Sequence, residues 1–267
     1  MKFSDQLDRL IELGTFPPKR IISLVPSQTE LLFDLGLDEE VIGITKFCIH
    51  PDNWFRMKTR IGGTKKLNLS LIRSLHPDLI IANKEENLQQ EVETLAKEFP
   101  VWISDVKDLD DSYQMIKCIG ELVGKQETAE KLIEKIRSNF KDLFSRAENS
   151  NHRPRTAYLI WKDPFMTVGG DTFINNMMSI CGFENIFQRE IRYPEISLRQ
   201  LSTVNCQLLL LSSEPFPFKQ KHVEELQAIL PETRIMMVDG EMFSWYGSRL
   251  LQAPAYFSQL RELVFNA

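Results

Sequence analysis

The chain has neither a basic stretch nor a long apolar one. Its 267 residues carry 32 Lys and Arg against 37 Asp and Glu, a net charge of −5. A nucleic-acid footprint needs cations clustered on one face, so nucleic-acid binding is not expected. No uninterrupted apolar run reaches the ~18 residues of a membrane-spanning helix, and membrane insertion is not expected either. Met1–Thr15 (MKFSDQLDRLIELGT) has charges at Asp5, Asp8, Arg9 and Glu12. It lacks the apolar run of about 7–15 residues that marks a secretory leader, which sets a cytoplasmic location beside an exported one. Cysteine is scarce as well. Cys48, Cys118, Cys181 and Cys206 lie far apart without CxxC spacing, so neither a zinc knuckle nor a disulfide scaffold is indicated. Cys118 and Cys206 fall in apolar patterns and read as core residues. Missing too are the catalytic signatures: no Gly-x-Ser-x-Gly elbow, phosphate loop, HExxH or dinucleotide fingerprint occurs. Gly62–Lys66 (GGTKK) lacks the leading spaced glycine of a phosphate loop. The expectation is a protein that is not an enzyme and has no intrinsic cofactor.

What is present is an alternation of short apolar runs with helical patterns, and it occurs twice. The first series is Arg20–Val25, Val41–Thr45, Asp78–Ala82 and Val101–Ser104, separated by helices at Ser27–Leu37, Leu69–Leu75 and Leu88–Phe99. Ser27 reads as an N-cap with Glu30 completing a capping box, and Gly36 as the stop. The second series is Arg155–Trp161, Leu208–Ser212 and Arg234–Val238, with helices at Asp171–Cys181, Ser197–Leu201, Lys219–Leu230 and Ser248–Val264. Continuous apolar strands between helices imply parallel sheets covered on both faces. The expected fold is therefore α/β, two lobes, each a mainly parallel sheet flanked by helices.

Between the two series lie a helix at Ser112–Val123, ended by Gly124, and then Gln126–Glu148 without Gly or Pro. Its apolar residues Ala129, Leu132, Ile133, Ile136, Phe140, Leu143 and Phe144 step by threes and fours along one helical face. At 1.5 Å per residue that helix spans roughly 35 Å and reads as a strut joining the lobes, so that closure is a small rocking. The expected division is 1–111 for the N-terminal lobe, 112–149 for the connecting helices and 150–267 for the C-terminal lobe.

Ligands of parallel α/β units bind outside the carboxyl ends of the strands. The residues following the strands are accordingly the site candidates. In the first lobe they are Pro26, Ser27 and Gln28, then Phe47, Cys48 and His50, then Asn83 and Lys84. In the second they are Trp161 and Phe165, Glu214 and Phe216, and finally Trp245, Tyr246 and Arg249. Large rings with a few charged groups suit a flat or bulky organic ligand. Arg249 offers a planar fork to a carboxylate or phosphate. His50 is a candidate axial ligand to the metal of a preformed chelate, although Cys48 and His50 alone do not close a metal site. His152 and His222 read as solvent-facing.

Four segments then bring a family into view: Arg20–Glu30 (RIISLVPSQTE), Ile61–Thr64 (IGGT), Leu75–Ala82 (LHPDLIIA) and Phe165–Phe187, with its CGxxNxF motif at Cys181, Gly182, Asn185 and Phe187. In this order the chain resembles the helical-backbone periplasmic-binding family for iron chelates and cobalamin, which supplies ABC importers. The pair Phe47-Cys48 makes it most similar to the cobalamin-binding branch. The resemblance implies two lobes joined by one long helix and a monomer. It implies a cobalt or iron chelate as ligand: cobalamin or another corrinoid, with haem or a ferric siderophore as alternatives. It also implies docking to a permease through surface glutamates, for which Glu85, Glu86, Glu224 and Glu225 are the candidates. A cytoplasmic chelate carrier or sensor on the same fold is the reading from another class, and an enzyme built on Cys48 and His50 is a third.

Overall fold

A computed structural model of the protein describes residues 1–148 and 153–265. The expected boundary at 149/150 and His152 lie outside the described residues. Contacts within the chain define two compact units. The first gathers Met1–Val106, Asp110–Ile136 and Tyr246–Arg249; the second gathers Lys107–Leu109, Arg137–Trp245 and Leu250–Ala267. The late segment Tyr246–Arg249, read from sequence as part of the C-terminal lobe, thus packs with the first unit.

The first unit opens on a hairpin, β1 (Lys2–Ser4) and β2 (Leu10–Glu12), which the sequence reading missed. Its turn is held by Asp5, whose carboxylate accepts from the amides of Leu7 and Arg9 and pairs with the Arg9 guanidinium at 2.7 Å. The main chain then runs β3 (Ile21–Ser23), α1 (Pro26–Asp34), β4 (Val41–Ile44), α2 (Asp52–Met57), β5 (Thr59–Arg60), the short ribbon β6 (Gly62–Gly63) and β7 (Lys66–Leu67), α3 (Leu69–Ser74), β8 (Leu79–Asn83), α4 (Gln89–Ala96) and β9 (Val101–Ser104). Strands β5-β4-β3-β8-β9 form one sheet with every pair parallel. Ile22, Ile80 and Val101 pack from its strands against Ile72, Val92 and Leu95. Helix α1 starts two residues earlier than its capping pattern suggests. Val25 is the N-cap and Pro26 occupies the first turn, so Ser27 lies inside the helix and no capping box forms with Glu30. Gly36, at φ +80°, ends the segment as expected.

Helix α5 (Leu109–Leu122) follows, and then α6 (Gln126–Glu148), whose limits are those read from sequence. Ala129, Ile133, Ile136, Phe140 and Leu143 are buried along α6, at alternating steps of four and three. Phe144 is exposed. The helix passes from the first unit to the second at Ile136/Arg137.

The second unit comprises β10 (Arg155–Leu159), α7 (Phe173–Ile180), β11 (Glu184–Asn185), α8 (Leu198–Thr203), β12 (Leu208–Ser212), α9 (Gln220–Ile229), β13 (Arg234–Val238), α10 (Gly240–Ser244), a 3₁₀ turn at Ser248–Leu251 whose first residues belong to the first unit, and α11 (Ala253–Phe265). Its sheet order is β11-β10-β12-β13, again parallel throughout. All four leucines Leu208–Leu211 are buried. That is the reason an uninterrupted apolar run forms a strand here: helices cover both faces, so neither parity is released to water. Ser197 caps α8 in a box with Gln200. The helix expected over Ser248–Val264 is broken at Gln252, between the 3₁₀ turn and α11. Among the described residues, no helix is long and apolar enough to cross a membrane.

Candidate functional site

Each sheet presents the carboxyl ends of its strands as one edge, and the candidate residues assemble there unit by unit. In the first unit the register sets Asn83 of β8 opposite Ser104 of β9. The Asn83 side-chain amide donates to the Ser104 hydroxyl at 3.0 Å, and the Gln28 amide donates to the same hydroxyl. Meanwhile the Asn83 Oδ1 accepts from the amides of Glu85 and Glu86 at 2.8 and 3.0 Å. Asn83 is therefore a buried brace for the turn it begins, not a group turned toward a ligand. Pro26, Ser27 and Gln28 are buried with it. Lys84 is exposed and pairs with Asp105 at 2.6 Å.

Cys48 needs correction as a ligand contact or nucleophile. It is fully buried, with its sulfur 3.1 Å from the hydroxyls of both Thr29 and Thr45. Burial pushes its thiol up to about 11, so the group is a neutral thiol at physiological pH. The residues flanking it behave oppositely. Phe47 is 50% exposed, Ile49 is exposed and His50 half-buried. The alternation places Cys48 beneath the loop as its anchor and Phe47 above it.

Arg249 is likewise turned inward. Its guanidinium meets Glu30 through two contacts, Nε to Oε2 at 3.0 Å and an Nη2 contact to Oε1 at 2.8 Å. The two side chains are only 9% and 13% exposed. The fork expected for a ligand anion is thus closed on a carboxylate of the same unit. Burial outweighs this partner, and the Glu30 carboxyl titrates above its ordinary range. Next to it, the buried Tyr246 hydroxyl donates to Glu86 Oε1 at 2.9 Å. Burial, with Glu86 after it, pushes the Tyr246 phenol well up. Glu86 is half-buried by this bond and is an internal acceptor, in contrast to the outward docking group expected of it. Glu85 is half-buried in the same turn.

In the second unit the edge is aromatic. Trp161, 40% exposed, meets Phe216 edge-on at 5.8 Å; Phe216 meets Phe218 at 4.8 Å; both pack on His222. His222 is accordingly buried and not solvent-facing, and its Nδ1 accepts from the Lys219 amide at 2.9 Å. Phe165 is half-buried in the loop closed by the bridge between Trp161 and Met166. Glu214 is enclosed by neutral donors: the Ser244 hydroxyl at 2.6 Å and the indole nitrogen of Trp245 at 2.9 Å, both on Oε1. Desolvation raises its pKa, these donors opposing it. The Tyr158 hydroxyl joins the group through Ser212 at 3.1 Å, a partner no sequence pattern singled out. Trp245 is 5% exposed and serves as a buried donor. On α9, Glu224 is exposed, while Glu225 pairs with Lys162 at 2.6 Å. No group of three or more His, Cys, Asp or Glu suited to a metal ion occurs among the described residues.

Two parallel α/β units, each ending in a strand edge of braced polar groups and exposed rings, define a protein of the α/β solute-binding class. Residues 21–230 match the family described as periplasmic binding protein, and the chain belongs to that family. It is 27% identical over 258 residues to a vitamin B12-binding protein of Yersinia pestis, covering 94% of this chain and 90% of that one. The periplasmic vitamin B12 binding protein of Vibrio cholerae superposes with a TM-score of 0.80 at 23% identity, over 95% of this chain and 100% of that one. A periplasmic heme-binding protein from Roseiflexus gives the same TM-score at 22% identity, over 93% and 98%. These structures share the fold; their names describe binding proteins.

Proposed function

We propose that this chain is the substrate-binding component of an ABC importer, taking up a cobalt or iron chelate, most of all cobalamin or a related corrinoid. The observation that carries the reading is the pair of exposed rings at strand carboxyl ends, Phe47 in one unit and Trp161 in the other, on a chain of the periplasmic binding protein family. Large aromatic faces held on rigid sheet edges bury a bulky ligand at little conformational cost. The relationship to vitamin B12-binding proteins supports a corrinoid, and the shared fold of a heme-binding protein keeps haem as the second reading. His50, half-buried beside Phe47, is the proposed axial group for the chelate's metal. The protein acts without catalysis, as a monomer, in the periplasm, and meets its permease through Glu85 and Glu224. Titration with cyanocobalamin, haemin and a ferric siderophore, followed by tryptophan quenching and visible absorption, tests the reading. Micromolar or tighter binding of cyanocobalamin is expected, and failure of all three to bind overturns it. Cell fractionation separates an importer subunit from a cytoplasmic carrier or sensor.

A further inference from the structure

We infer that Lys46, Phe47 and Gly63 form one recognition edge that selects a chelate bearing both a flat conjugated face and an anionic substituent. This rests on the chelate-binding reading above and names three residues, two of them outside the sites already considered. The starting point is a glycine that its backbone does not require. Gly62 sits at φ +109°, and a Cβ there would lie 2.5 Å from the Lys66 carbonyl oxygen, so its own conformation demands glycine. Gly63 has no such positive φ. A Cβ on Gly63 would instead lie 3.1 Å from Cε2 of Phe47 and 3.3 Å from Cε of Lys46. The absence of a side chain at 63 thus allows the Phe47 ring and the Lys46 stem to lie against the backbone of β6.

The loop is anchored so that this placement is fixed before any ligand arrives. The Lys46 amide donates to the Gly62 carbonyl at 2.8 Å, and the Phe47 amide to the Thr45 hydroxyl at 3.3 Å. Beneath them Cys48 is buried between Thr29 and Thr45. An exposed phenylalanine alone means little. A half-exposed ring with its edge seated on a buried glycine, on a loop tied at three consecutive residues, is a prepositioned surface. The Lys46 ammonium lies over a face of the ring, 4.9 Å from its centroid, and because Lys46 is exposed a stacking ligand displaces it to the ring's margin. A cation held near an aromatic face offers a carboxylate or phosphate a partner at the margin of a stacked ligand. The ring meets the conjugated face, Lys46 meets the anion and Gly63 sets the ring's height.

The test measures Kd for haemin, which carries carboxylates, and cyanocobalamin, which carries a phosphodiester. It uses the full chain, with Gly63→Ala, Lys46→Gln and Lys46→Arg beside the wild type, and the thermal midpoint of each as control. Gly63→Ala is expected to weaken the bound chelate about tenfold by lifting the ring a few tenths of an ångström. Lys46→Gln is expected to weaken haemin about fivefold at low salt, with the loss vanishing near ~1 M salt and in Lys46→Arg. If Gly63→Ala proves unstable, the Lys46 pair decides. Binding by the wild type with Lys46→Gln and any stable Gly63→Ala within twofold overturns this inference alone. No binding of either probe by the wild type overturns it together with the chelate reading.

Discussion

The two strand edges solve the same problem in different ways. Each buries a carboxylate near the carboxyl ends of a parallel sheet, Glu30 in the first unit and Glu214 in the second. Glu30 is answered by a cation, in a two-point contact with Arg249. Glu214 is answered by neutral donors, Ser244 and Trp245. Desolvation is the leading cause at both sites and raises both pKa values. A guanidinium can offset much of the cost of ionising a buried carboxylate but ties stability to the survival of both partners. Neutral donors leave the acid free to take up a proton without losing its neighbours. The first edge is thereby built as a rigid polar frame with one ring set on it. The second joins an aromatic stack, Trp161, Phe216, Phe218 and His222, to a carboxyl held by neutral donors.

The largest effect expected from breaking this contrast is at the charged pair. Arg249→Met leaves the Glu30 carboxylate buried without its cation and is expected to lower unfolding free energy by about 3–5 kcal/mol at neutral pH. The double variant Arg249→Met/Glu30→Leu should recover most of that in denaturant titrations. Tyr246→Phe removes a donor to the Glu86 carboxylate and is expected to lower it by about 1.5–3 kcal/mol. Smaller is the pH response of the neutral-donor site. Because the folded pKa of Glu214 is raised above 4.5, its contribution is fully present below pH 4.5 and is lost as pH rises through the folded value. Glu214→Gln should therefore gain on the wild type as pH rises from 4.5, and melting curves of both proteins across pH 4–8 display the widening gap. A constant gap would remove the assigned desolvation. Smallest is Trp161→Ala, expected to stay within roughly 0.5–1 kcal/mol in stability while losing tryptophan quenching and affinity for the bound chelate.

The comparison also marks what a linear reading of the chain captures. The leucine run Leu208–Leu211 and the three–four spacing along α6 are local patterns with a single physical meaning, and both elements appear where read. The hairpin β1–β2 escaped because three-residue strands offer too few positions for a period to register. At the site, Phe47 and Trp161 are legible as rings placed after strands. Their neighbours are not. Arg249 looks like a ligand fork until its partner 219 residues earlier is known, and Cys48 looks reactive until two threonines close over it. Pairings at such sequence separation leave no local trace. Asn83 and His222 are different: their partners lie close in sequence, Glu85 and Glu86 for the one, Phe216 and Phe218 for the other, and only the loop conformation brings them into contact.

The segment Tyr246–Arg249 limits where the chain can be cut into separately folding pieces. Besides α6, the chain crosses between the sets of residues that fold together at Val106/Lys107, Leu109/Asp110, Trp245/Tyr246 and Arg249/Leu250. A fragment truncated after Ile136 would retain the whole first sheet yet lack the arginine that neutralises Glu30 and the phenol that binds Glu86. The first unit is consequently a fold without a contiguous reading frame. A faithful recombinant version of it requires residues 246–249 to be grafted back, by a linker or by circular permutation.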